Sequence, residues 1–176
     1  AGEPLPAAED FDWLIVMGGP MNIYEHDRYP WLIFEKKLIN DAYVTNKKII
    51  GICLGSQLLA DVLGGPVTRN KYNEIGWFNV NLTEEGRKSS FNVFGKQFMA
   101  FHWHGDIYAL PPGAQCLATS EACGQQAFSH GDRRLGLQFH LEVTADNARE
   151  WFKVDAPKPE RYVQSAEEIL SHPSRF

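Results

Sequence analysis

Apolar and polar residues change rhythm along this chain, and the rhythm assigns the elements. Residues 12–17 form an apolar run of strand length, closed by Gly18-Gly19-Pro20. Over 31–45, Trp31, Phe34, Leu38, Ile39 and Ala42 recur at helical spacing. Glu35, Lys36, Lys37 and Asn40 fall on the other side, which predicts an amphipathic helix. A second apolar run, 48–52, leads into a helix over 54–63 that stops at Gly64-Gly65. Strand, helix, strand, helix in that order implies parallel strands joined by a right-handed crossover. From 66 to 130 the character changes to short strands near 76–82, 97–102, 115–119 and 125–129, separated by Gly, Pro and Asn. Residues 134–143 alternate like a strand; 146–153 and 165–171 read as helices, with Pro157 and Pro159 breaking the chain between them. The expected fold is α/β, an open, mostly parallel sheet flanked by helices with a mixed or antiparallel edge portion. The 176 residues are expected to form a single domain.

Composition narrows the function classes. Hydrophobic residues at 44% and charged residues at 22% are those of a globular protein with one core. A net charge of −5, with no Lys/Arg run, argues against a nucleic-acid partner. No apolar stretch reaches the ~18 residues of a membrane span and no signal-peptide pattern is visible. Cys53, Cys116 and Cys123 are an odd set without Cys-x-x-Cys spacing and read as reduced thiols, so a cytoplasmic protein is expected. His102 and His104 share one strand face, but no third ligand is indicated, so no metal is expected.

The chemistry concentrates at Gly51-Ile52-Cys53-Leu54-Gly55, where a strand turns into a helix. This is the thiol form of the Gly-x-Ser-x-Gly nucleophile elbow. Glycines suit the bend because strand and helix backbones approach there and a Cβ would clash. At the helix N-terminus, unpaired N–H groups and the macrodipole favour an anion, so the sulfur is expected as a thiolate. A merely packed cysteine would need neither glycine nor bend.

A nucleophile needs a base, and the base an orienting group. His140 and Glu142 stand at i and i+2 of the 134–143 run, so on a strand they share a face and the carboxylate can hold the imidazole. Gly18-Gly19 exposes backbone N–H groups, which with the Leu54 N–H suits an oxyanion hole; each such donor is worth ~2.7–4 kcal/mol in a transition state.

In order and spacing, Gly18-Gly19-Pro20, Gly51-x-Cys53-x-Gly55 and His140-x-Glu142 resemble the class I glutamine amidotransferases, over about residues 10–150. The resemblance implies their flavodoxin-like fold, with Cys53 as nucleophile, His140 as base and acid, and Glu142 as orienter. It further implies oxyanion donors at Gly19 and Leu54, and Gln57 against the amino-acid part of glutamine. Trp103, His104 and Gly105, with Asp106, match the loop that lines the family's glutamine pocket. No cofactor is implied. Glu74-Ile-Gly-Trp77, Leu110-Pro-Pro-Gly113 and Gln126-Ala-Phe128 look most like the stand-alone branch similar to the amidotransferase domain of GMP synthase. That branch lies near plant γ-glutamyl peptidases.

Two departures stand out. Leu141 occupies the place of the family's usual proline. The family also opens with one further βα unit, and Ala1–Pro6 reads like the linker after it, so an incomplete chain is expected. Three functions remain open. The first is a glutaminase that passes ammonia to a separate synthase subunit. The second is a stand-alone hydrolase of γ-glutamyl amides, and the third a catalytically silent binding domain. The related elbow-cysteine proteases place His directly after Cys, where this chain has Leu54.

Overall fold

The computed structural model describes residues 4–176; Ala1–Glu3, part of the expected linker, lie outside the described residues. Strand β1 (Trp13–Val16) is followed by α1 (Trp31–Val44), β2 (Lys48–Ile52) and α2 (Leu54–Val62). Then come β3 (Val67–Leu82), a short α3 (Glu84–Lys88), β4 (Gln97–Tyr108), β5 (Gln115–Thr119), β6 (Ala127–His130) and β7 (Arg134–Leu137). Helices α4 (Ala145–Val154) and α5 (Ala166–Leu170) close the order. The seven strands form one open sheet in the order β1-β2-β7-β6-β5-β3-β4. β1, β2 and β7 are parallel; every pairing beyond β7 is antiparallel, so the sheet is mixed and its antiparallel portion is more than an edge. Among the described residues no helix is long and apolar enough to cross a membrane.

The α1 stripe is rotated from the sequence expectation. Leu32, Ile39 and Ala42 are fully buried while Phe34 is 61% exposed. The helix packs on α2 and β2 along the Leu32–Ile39 line, and on that side Lys36 meets Asp61 at 2.8 Å. Periodicity located the helix, but several apolar residues competed for the buried face, and contact with α2 selected among them.

β3 and β4 run longer than the local pattern predicts. β3 pairs with β4 along almost its whole length, with a bulge between Arg69 and Glu74. The polar run Arg69-Asn-Lys-Tyr-Asn73 hides strand character because a bulge breaks the two-residue alternation. β7 is shorter than expected: it ends at Leu137, and His140 and Glu142 lie beyond it. His140 is instead held by an isolated antiparallel bridge to Phe101 of β4. This corrects the reading of 134–143 as one strand. β4 therefore runs past both Cys53 and His140 and positions the site.

Candidate active site

Cys53 sits between the end of β2 and the start of α2 with φ 52° and ψ −109°, a left-handed conformation that non-glycine residues seldom adopt. Such a residue stores about 1–3 kcal/mol and is held only where its surroundings over-determine it. Here they do. A Cβ on Gly51 would stand 2.7 Å from the Ser56 nitrogen, and one on Gly55 would strike the Val16 backbone, 2.6 Å from its carbonyl carbon. The Cys53 N–H donates to the Leu137 carbonyl at 2.7 Å, tying the elbow to the end of β7. The side chain is nearly buried, and Sγ lies 3.6 Å from the Trp103 carbonyl oxygen.

The His140 N–H donates to the Phe101 carbonyl at 2.8 Å, and its Nδ1 lies 2.6 Å from Glu142 Oε1. The second carboxylate oxygen accepts the Leu141 N–H at 3.0 Å, a bond that a proline at this position could not make. The contact between His140 and Glu142 thus exists without the shared strand face on which it was expected. His140 is 4% exposed, and burial works against its charged form. The sulfur of Cys53 and the carboxylate of Glu142 outweigh burial and raise its pKa to about 10. Burial pushes Glu142 up, but the bond to His140 and the backbone N–H groups hold it below the ordinary carboxylate value. His140 Nε2 is buried without a hydrogen-bond partner, and the rings of Trp151 and Phe101 stand 5.9 and 6.1 Å away.

Gly18 touches both halves of this arrangement. A Cβ there would lie 3.2 Å from His140 Cε1 and 3.3 Å from Cys53 Cβ. Gly19 abuts Leu54, whose Cδ2 would be 3.1 Å from an added Cβ. Leu54 opens α2, so its N–H has no partner inside the helix. Gly19 and Leu54, the two expected oxyanion donors, are thus neighbours, each next in sequence to a residue at the elbow, Gly18 or Cys53.

The other expected pocket residues separate into two groups. Trp103 presents its carbonyl to the sulfur while its ring stacks on Phe152 at 5.4 Å. Gly105 is pressed by the β3 bulge, where a Cβ would meet Asn73 Oδ1 at 2.5 Å. Gln57 and His104 are turned inward. Gln57 is buried, and its Nε2 donates to Gln138 Oε1 at 3.1 Å and to the Asp106 carbonyl at 3.4 Å. His104 Nε2 lies 3.1 Å from Glu74 Oε2, and its Nδ1 lies 3.3 Å from the Asp106 carbonyl. Asp106 itself accepts from Tyr24 at 3.1 Å and from Arg69 at 3.4 Å, linking the loop after β1 to β3 and β4.

Sequence reasoning missed the partners of the two β4 histidines. Glu74, His102 and His104 bring one donor atom each within 4.8 Å, so a third side chain does accompany the histidine pair. Glu74 is distant in sequence, and the β3–β4 register, which sets Glu74 opposite His104, is not readable from local pattern.

Known proteins resemble this chain over most of its length. The family described as glutamine amidotransferase class-I matches residues 3–154. The glutamine amidotransferase-like protein YfeJ of Salmonella typhimurium is 40% identical over 151 residues, covering 83% of this chain and 63% of that protein. One subunit of the glutamine-hydrolyzing GMP synthase of Sulfurisphaera tokodaii is 36% identical over 147 residues, covering 80% of this chain and 72% of its own length. The solved structure of a glutamine amido transferase from Methylobacillus flagellatus matches with a TM-score of 0.88 at 35% identity, covering 98% of this chain and 73% of that one. This chain thus spans less than two thirds of the length of YfeJ. With that much of the sequence and fold in common, the chain belongs to the class-I glutamine amidotransferase family.

Proposed function

We propose that this chain hydrolyses the side-chain amide of glutamine through a Cys53 thioester and releases ammonia to a separate synthase subunit. The observation that carries the reading is the convergence of the strained Cys53 elbow with a His140 hydrogen-bonded to Glu142 at 2.6 Å. The Cys53 thiolate attacks the γ-carbonyl carbon, and the N–H groups of Gly19 and Leu54 receive the oxyanion. His140, held protonated by Cys53 and Glu142, gives its proton to the departing nitrogen as the C–N bond breaks, leaving ammonia and a γ-glutamyl thioester. His140 then takes a proton from water, whose oxygen attacks the thioester and returns glutamate and the thiolate. The backbone from Trp103 to Asp106 lines the side of the pocket that receives the amino-acid part. No step asks for a cofactor.

What supports a separate acceptor site is that relatives from Sulfurisphaera tokodaii and Saccharolobus solfataricus are each named as one subunit of a glutamine-hydrolyzing GMP synthase. Mass spectrometry after treatment with a glutamine-analogue diazo-ketone tests the reading. A single adduct on Cys53, absent in Cys53→Ala and suppressed by glutamine, is the expected result. A protein that takes no adduct while Cys53 still reacts with iodoacetamide contradicts it. Turnover of bulky γ-glutamyl conjugates in preference to glutamine would identify a stand-alone hydrolase instead.

A further inference from the structure

Behind the β4 segment that faces Cys53 lies a buried polar cluster that the proposed reaction does not use. Glu74 is 1% exposed, His102 and Gln126 are fully buried, and His104 is 6% exposed. All three partners converge on one atom, Glu74 Oε2: Gln126 Nε2 donates at 2.6 Å, His104 Nε2 at 3.1 Å, and His102 Nδ1 stands 3.6 Å away. A buried carboxylate without partners would carry a large desolvation cost, so this convergence accounts for its presence. The negative charge is retained: burial raises the carboxyl's pKa, but the hydrogen bond from His104 and the nearby His102 bring it below the ordinary value.

His104 faces acceptors on both sides, the Glu74 carboxylate and the Asp106 carbonyl. His104 thus bridges the Glu74 carboxylate and the Asp106 backbone, forming with Glu74 a buried hydrogen-bonded pair. One end of that pair grips β3. The other grips the backbone of Asp106, three residues past Trp103, whose carbonyl lies 3.6 Å from Cys53 Sγ. Asp106 also accepts from Gln57 of α2 through the same carbonyl. The short stretch between Trp103 and Asp106 is thus tensioned from behind, at the place where Gly105 forbids any side chain.

We propose that Glu74 is a positioning residue, acting through His104 to hold the Trp103–Asp106 backbone in the shape that receives the amino-acid portion of glutamine. The proposal rests on the glutaminase reading for its ligand, though not for its effect on the backbone. His102 supports the pair while remaining neutral, since burial lowers its pKa to about 3. Glu74, His102 and His104 also bring three potential ligand atoms within 4.8 Å of one another, and a bound cation is the alternative that a metal analysis of the purified protein distinguishes. Gln126 Nε2 at 2.6 Å and His104 Nε2 at 3.1 Å already give the Glu74 carboxylate oxygen two hydrogen-bond donors, so the cluster is accounted for without an ion.

The test compares two reagents on wild type and Glu74→Gln, a substitution that keeps the shape and removes the charge. Iodoacetamide reads the sulfur alone; the diazo-ketone also needs the amino-acid pocket. The expected result is a half-saturating diazo-ketone concentration raised about ten- to a hundredfold, the loss that a misplaced positioning contact produces, with the maximal rate and the iodoacetamide rate within about twofold. Amide exchange over residues 101–106 should rise in the same variant. Gln126→Leu, which removes one donor and leaves the Glu74–His104 contact, should shift the same way by less. Glu74→Gln added to His104→Gln should add little, as expected for residues acting in series.

Unchanged half-saturation and unchanged 101–106 exchange would overturn the proposal. So would an iodoacetamide rate that falls as far as the diazo-ketone rate, or one equivalent of a transition metal in the purified wild type. If the wild type takes no diazo-ketone at all, the glutaminase reading fails, and the exchange measurement still decides the role of Glu74.

Discussion

His140 Nδ1 lies 2.6 Å from Glu142 Oε1 although neither residue belongs to a strand: β7 ends at Leu137, and a bridge to Phe101 carries His140 into place. The contact is held from both ends, by the Phe101 carbonyl on His140 and by the Leu141 N–H on Glu142. Glu142→Gln keeps the size and can still hydrogen-bond but withdraws the charge that favours imidazolium. On the proposed reaction, kcat for glutamine hydrolysis should drop by about 10²–10⁴, with KM little changed. Steady-state ammonia release measures both.

His140 also links the site to pH-dependent stability. Its folded pKa, about 10, stands above the ordinary 6.5, so the folded state holds the proton more tightly. The resulting stabilisation is complete below about pH 6.5 and is lost as pH rises through about 10. Urea midpoints should fall across that window. In Cys53→Ala, which removes one of the two groups raising the pKa, the fall should still begin near pH 6.5 but end at lower pH and be smaller in total. Glu142 acts at the other extreme: its depressed pKa adds stability above the ordinary 4.5 that disappears as pH falls.

The elbow tolerates no side chain at its hinge. Gly51→Ala would place a Cβ 2.7 Å from the Ser56 nitrogen and against the Gly55 carbonyl, all of it backbone that cannot rotate aside. Overpacking of this kind costs about 1–3 kcal/mol or more, and here it would also displace Cys53. A lower urea midpoint together with slower Cys53 alkylation is expected; a variant of wild-type stability and reactivity would contradict the close approach.

The three thiols should separate by reactivity. Burial raises the Cys123 thiol to about 12 and pushes Cys116 up as well, leaving both poor nucleophiles near neutrality. Limiting iodoacetamide at neutral pH should therefore modify Cys53 first, and Cys123 only after denaturant unfolds the sheet. Peptide mapping over time gives the order. Early labelling of Cys123 would mean that its buried environment opens readily.

Several elements were legible because they rest on short-range rules. The apolar run at 48–52 is β2 to the residue, and the glycines on either side of Cys53 announced a bend that the positive φ of Cys53 makes concrete. Where neighbours decide, legibility failed. Phe34 and Leu32 both fit a helical stripe, and only packing on α2 buried Leu32 and left Phe34 in solvent. Strand β3 was underestimated because its bulge breaks the alternation that marks a strand.

Residue type and spacing alone determined that a thiol would stand at a strand-to-helix turn, and they named His140 and Glu142 as a pair, though by a shared strand face that the structure does not have. Those are properties of a few consecutive residues and their allowed backbone angles. The tertiary structure decided that β4 would carry the Trp103 carbonyl to the sulfur and the Phe101 carbonyl to His140. It also decided that Glu74 would lie behind them, and that Gln57 would turn inward to Gln138. Those contacts join residues far apart in sequence. Their distances come from strand register and helix packing, which many weak interactions set together and no local pattern encodes.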